Sequence, residues 1–158
     1  MDMLIWLQES ALAQWVGSAP TLLAYPTILT LHTAGMSVVV GTCAVIDLRI
    51  LGVAGDVPFT SLRRAPLFVW SGFTVNAITG ALLFLPAAEQ KATQTAFFIK
   101  LVFIALALLA YGRIRRLVFR ETVPTTAPTS MEARALAVLS LVLWAGATVA
   151  GRLMAYTQ

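Results

Sequence analysis

Charge is scarce in this sequence. Asp, Glu, Lys and Arg together make up 11% of the 158 residues, against about 25% in an ordinary soluble domain. Histidine occurs once, as His32, and cysteine once, as Cys43. A lone cysteine excludes an intrachain disulfide framework and any CxxC redox or zinc pattern. The sequence also has no glycine-rich phosphate loop, no HExxH and no Ser–His–acid set at matched depth, so nucleotide and hydrolytic chemistry are not signalled. The N-terminus lacks the basic flank that precedes the apolar core of a cleavable signal.

What the chain has in abundance is apolar length. Hydrophobic residues make up 59% of it, and the mean hydropathy is +0.84. Roughly 20 apolar residues cover the hydrocarbon core of a bilayer. Four stretches reach that length: about Leu22–Leu51, Ala65–Pro86, Ala96–Leu117 and Ala135–Tyr156. Backbone groups must be paired internally in lipid, so only helices and closed barrels can span it. These runs are rich in Leu and Ala and show no apolar/polar alternation, which selects helices. The expected fold is all-α: one integral-membrane four-helix bundle over residues 1–158, in contact with the lipid bilayer.

The segment Met1–Gly17 differs in kind. Leu4, Leu7, Ala11, Leu12, Trp15 and Val16 can share one helical face, with Asp2, Gln8, Glu9 and Gln14 on the other. That pattern predicts an interfacial amphipathic helix with Trp6 and Trp15 at headgroup level. Ser18-Ala19-Pro20 then turns the chain toward the first span. Pro26 falls where a helix tolerates it, near the start. Glu121–Ser130, rich in Thr and Pro, reads as a flexible linker, and Glu132 favours a helix start just after it. Ser37 and Gly41, and on the last span Gly146 with Ala150 and Ala147 with Gly151, are small residues four apart that permit close helix packing. Such faces make a homo-oligomer, or docking into a larger membrane complex, the expected state.

The net charge of +4 does not point to nucleic acid, because the basic residues flank spans. Arg49, Arg63, Arg64, Arg113, Arg115, Arg116, Arg120 and Arg134 fall on one side, and Lys91, Lys100 and Arg152 on the other. The positive-inside rule puts the first set in the cytoplasm. Both termini are then expected in the periplasm, with the chain multi-pass in a bacterial inner membrane.

This topology gathers scattered polar residues at one depth. His32, Asn76, Lys100 and Arg152 each come from a different span, in the outer half of the bundle. An ionisable group inside a span is expensive and is by default a functional hypothesis. Three cofactors match these residue types. Haem b would take His32 as an axial ligand, with Lys100 and Arg152 on its propionates. A quinone would hydrogen-bond to His32 and Asn76 between apolar walls. Copper would use His32, Met36 and Met154, since imidazole and thioether suit that metal. The expected function is electron transfer, as a subunit or membrane anchor. The alternatives are handling or transport of copper or a small solute, and a structural role in a larger complex.

Several phrases, taken in order, carry a family likeness. They are Tyr25-Pro-Thr-Ile-Leu-Thr-Leu-His32-Thr-Ala-Gly35, Asp47-Leu-Arg-Ile-Leu-Gly52, Gly72-Phe73 with Thr79-Gly80, Phe98-Ile-Lys100-Leu101, Leu143-Trp-Ala-Gly146 and Ala150-Gly-Arg-Leu-Met-Ala-Tyr156. The set resembles a bacterial family of small four-helix inner-membrane proteins of unknown function. That family is similar to copper-resistance D membrane proteins and, more distantly, to four-helix b-type cytochromes. The resemblance implies a four-helix bundle with its functional face near His32, Lys100 and Arg152. Membrane b-type cytochromes usually place histidines on more than one helix. With a single histidine here, a haem's second ligand is non-histidine, absent, or donated by another chain.

Overall fold

The computed structural model describes residues 2–118, 130–154 and 156. Arg120 and residues 121–129 of the expected linker lie outside them. Every regular element among the described residues is helical. The chain runs α1 (Asp2–Gln8), α2 (Ala11–Ser18), α3 (Tyr25–Leu51), α4 (Ala65–Phe84), α5 (Ala88–Thr93), α6 (Thr95–Val118) and α7 (Met131–Leu153). Short 3-10 segments at Phe59–Arg64 and Leu85–Ala87 lead into α4 and out of it. The helices α3, α4, α6 and α7 are each long and apolar enough to cross a membrane. The protein is therefore a multi-pass membrane protein built as a four-helix bundle.

Local chemistry sets the ends of these helices. Pro26 occupies the first turn of α3, where its missing N–H costs nothing. Gly52 closes the same helix at φ 88°, its N–H bonding back to Arg49 and Leu48 carbonyls. That left-handed conformation favours a residue without Cβ. Ser130 caps α7 by accepting a hydrogen bond from the Ala133 N–H at 3.2 Å, with Glu132 in the first turn.

The sequence predicts one amphipathic helix over residues 1–17, whereas the structure breaks it in two at Ser10. The Ser10 hydroxyl donates to the Leu7 carbonyl at 2.7 Å and accepts from the Ala13 N–H at 3.2 Å. It thus ends one helix and caps the next. Ala13 and Val16 are buried, while Trp6, Leu12 and Trp15 are exposed. The pair lies across the end of the bundle at which α3 begins, against Leu85–Ala87 and α5.

Within the bundle α3 packs on α4 and α7, and α6 packs on α7. The closest approach is between α3 and α4: a Cβ on Gly35 would lie 2.9 Å from the Gly72 carbonyl oxygen, and one on Gly72 would lie 3.0 Å from that of Gly35. Gly146 likewise admits the Phe103 ring, which a Cβ would meet at 2.7 Å. The expected Ser37/Gly41 contact is not made inside the chain. Gly41 has nothing within 4 Å and both residues are exposed, because that face of α3 points away from the other spans.

Among the described residues, all the arginines but Arg152 collect at one end. Arg49 closes α3, Arg63 and Arg64 precede α4, and Arg115 and Arg116 end α6. Arg49 donates to the Val57 carbonyl and lies 4.4 Å over the Phe59 ring. Arg113 pairs with Glu132 at 2.9 Å. This arginine-rich end is opposite the end covered by α1 and α2.

Candidate functional site

His32 lies on the face of α3 that meets α4, and the two helices clasp each other there. Its Nδ1 is 3.0 Å from the backbone oxygen of Asn76 and 3.1 Å from Thr79 Oγ1. A carbonyl can only accept, so Nδ1 carries the hydrogen. In return Asn76 Nδ2 donates to the His32 carbonyl at 2.8 Å. The Thr79 hydroxyl spends its own hydrogen on the Val75 carbonyl at 2.6 Å. Gly80 makes room for the ring, since a Cβ there would sit 3.1 Å from Cε1. In the neutral imidazole Nε2 then keeps its lone pair, ready to accept a hydrogen bond or bind a metal.

Lys100, from α6, is half-buried and joins Asn76 and Met36 in lining a small cavity that reaches Trp144. Its aliphatic stem runs beside Gly151, where a Cβ would lie 3.6 Å from Cδ and Cε. Lys91 closes the same end by donating to the Leu83 carbonyl, and the Phe84 and Phe97 rings stack at 5.4 Å. The cavity measures about 20 Å³, room for about one water molecule.

Of the residues singled out from the sequence, His32, Asn76, Met36 and Lys100 fall in the same half of the bundle, and the last three share the cavity. Arg152 comes from the same end of the bundle but stays outside the cavity. It is exposed in the last turn of α7. Met154 stands just past the end of α7, whereas Met36 lies deep in α3. The two thioethers therefore sit at different depths. Among the described residues no group of three or more His, Cys, Asp and Glu side chains could hold a metal ion.

A second polar group, not among the residues singled out from the sequence, lies toward the arginine-rich end. Asp47 and Ser140 are each 1% exposed, and the Ser140 hydroxyl lies beside the Asp47 carboxyl. One turn along, Cys43 and Trp144 face each other, and Tyr111 of α6 is buried in the same cluster. The Oδ2 of Asp47, the Tyr111 hydroxyl, Ser140 Oγ and Trp144 Nε1 are all buried without a hydrogen-bond partner. The signal was available as two offsets of four, Cys43 to Asp47 and Ser140 to Trp144, each placing two polar groups on one helix face.

Compared with known protein families, curated proteins and solved structures, the chain finds no match.

Proposed function

We propose that the half of the bundle around His32 binds a quinone, and that the chain acts in electron transfer as a small subunit or anchor of a membrane complex. The observation that carries this reading is the His32–Asn76 clasp. It holds the imidazole in one tautomer, with Nε2 as the free acceptor. A quinol hydroxyl donates to Nε2, and the Lys100 ammonium donates to a quinone carbonyl. When the quinol is oxidised, Nε2 is the base that takes up a hydroxyl proton while the electrons pass to a redox partner. An apolar trough of about 640 Å³ along α6, lined by Phe98, Ile99 and Val102, lies at the level of Lys100 and suits an isoprenoid tail. The head group itself enters from the lipid side between α4 and α6, since the enclosed cavity of about 20 Å³ is far below the roughly 300–1,000 Å³ of a drug-sized ligand pocket. In this reading the arginine-rich end faces the cytoplasm.

The same lone pair supports a second reading, in which His32 Nε2 binds a metal. A ring whose Nδ1–H is held by a carbonyl is the usual support for a ligating histidine. A haem does not fit the enclosed cavity, and the haem b reading therefore needs a site between two copies of the chain. Copper would find His32 and Met36 one turn apart on α3 and would draw its other ligands from a second copy. Arg152 and Met154, being outside the cavity, serve either reading only at such an interface.

Titration of the detergent-solubilised protein with a short-chain quinone, followed by tryptophan fluorescence, tests the first reading. Saturable binding that weakens about tenfold (~1.4 kcal/mol) in His32→Ala and Lys100→Gln supports it. Absence of saturable binding sinks it. A Soret band, or copper that co-purifies and is lost in His32→Ala, establishes the second reading instead.

A further inference from the structure

We propose that the bundle carries a proton path along its axis, from Asp47 near the arginine-rich end to the Lys100–His32 group in the opposite half. The path needs only proton donors and acceptors, so it stands whether or not a quinone is the ligand at His32.

The spacing on α3 comes first. His32, Met36, Cys43 and Asp47 follow one another at offsets of four, seven and four, which keeps them on one stripe of the helix. At about 1.5 Å per residue His32 and Asp47 are ~22 Å apart, which is most of the ~30 Å hydrocarbon layer. The stripe faces the interior: Cys43 and Asp47 are each 1% exposed, and Met36 lines the cavity.

The unpartnered atoms come second. A buried polar atom without a hydrogen bond is rare and calls for an explanation, and an unpaired carboxylate oxygen is the most costly kind. Here four such atoms, on α3, α6 and α7, occupy consecutive levels of the bundle. Asp47 and Ser140 make the lower level, and Cys43, Trp144 and Tyr111 the next. From there Trp144 borders the cavity that Asn76 and Lys100 also line. The charged and titratable groups facing this route are His32, Cys43 and Asp47 from α3, and Tyr111 and Lys100 from α6, with Arg115 acting on Tyr111 and Lys91 of α5 acting on His32 and Lys100. From α7 come Ser140 and Trp144, and the α4 residues of the lower core are the apolar Ala65 and Val69. Chains of ionisable residues across a membrane interior are the usual mark of proton movement.

Each group has a definite part. Asp47 Oδ2 takes a proton from the aqueous phase at the arginine-rich end. The Ser140 and Tyr111 hydroxyls, with bound water, pass it on, each releasing its own proton as it receives one. The Trp144 Nε1–H only donates, so it orients a water and does not relay. The Lys100 ammonium releases one proton toward His32 and is re-protonated by the one water of the cavity. The released proton leaves through His32 Nε2 to the opposite side. No bond other than O–H and N–H is made or broken, and one proton enters for each that leaves.

The test is proton influx into vesicles that contain the full chain, an entrapped pH-sensitive dye and an imposed potassium diffusion potential. The wild type is expected to exceed protein-free vesicles about tenfold or more, equal to ~1.4 kcal/mol on the barrier. Asp47→Asn is expected to return influx to the protein-free level. Ser140→Ala, which removes a hydroxyl without a protein partner and so leaves folding intact, is expected to lower it severalfold. Influx in the wild type equal to that of protein-free vesicles overturns the proposal. So does wild-type influx in Asp47→Asn, or in Ser140→Ala should Asp47→Asn fail to assemble.

Discussion

Two polar layers lie within one bundle, and they are built in opposite ways. Around His32 the polar groups find partners: imidazole to carbonyl, amide to carbonyl, hydroxyl to carbonyl. Around Asp47 the polar side chains have only one another as polar neighbours, and four of their atoms make no hydrogen bond of normal geometry. The difference lies in what each side chain reaches. Gly35, Gly72 and Gly80 bring α3 and α4 close enough that a side chain on one reaches the backbone of the other. Near Asp47 the polar atoms lie among Ile46, Ile50, Tyr111 and Trp144 in the apolar core, and none of them forms a hydrogen bond with a neighbouring backbone. Close packing by small residues is thus what satisfies polar groups in a medium that offers no water.

That contrast can be broken at its foundation by Gly35→Val. Its Cβ would meet a backbone oxygen at 2.9 Å, where no flexible side chain can yield. A loss of about 3 kcal/mol is expected, the upper part of the usual range for overpacking. It is read as a lower unfolding midpoint in detergent, and an unchanged midpoint would show that the two backbones do not touch. Asn76→Ala removes the reciprocal clasp and should cost about 1 kcal/mol, in line with interhelical hydrogen bonds in membranes. The same measurement decides it, and a neutral result would mean that the clasp positions His32 without stabilising the pair.

The other layer should answer differently. Ser140→Ala removes a hydroxyl that has no protein partner, so stability should shift by no more than about 0.5 kcal/mol. A loss as large as that of Asn76→Ala would erase the contrast between the layers. The smallest effect is expected at Gly41, which has nothing within 4 Å. Gly41→Ala should leave the unfolding midpoint of the isolated chain unchanged or slightly raised, since alanine favours the helix. A drop that depends on protein concentration would reveal a second copy on that face.

Much of this architecture is legible in the residues. Apolar length alone locates α3, α4, α6 and α7 to within a few residues of their ends. Gly146 and Gly151 do pack closely, against Phe103 and Lys100. Ser37 and Gly41 do not, because spacing along one helix defines a face and says nothing of which neighbour that face meets. The Gly35–Gly72 contact has its halves on different helices, so no window of one helix contains it. Asp47 lies four residues before the end of α3 at Leu51, yet its carboxyl is buried beside Ser140 of α7, a pairing that spacing along α3 alone does not show. His32 and Asn76 were legible as a pair at equal depth. Which ring nitrogen stays free depends on a carbonyl, and a sequence of side chains does not display carbonyls.

The docking of α1 and α2 has a consequence for the order of assembly. Val16 is fully buried, and Gly17 sits so close to Pro86 that a Cβ would fall 2.8 Å away. The residues these early helices rest on, at Leu85–Ala87 and Ala88–Thr93, are synthesised some seventy positions later. During synthesis the first two helices therefore have no seat until the second span has been threaded. They must wait on the membrane surface, held by Trp6, Leu12 and Trp15, until Leu85–Thr93 has emerged to receive them.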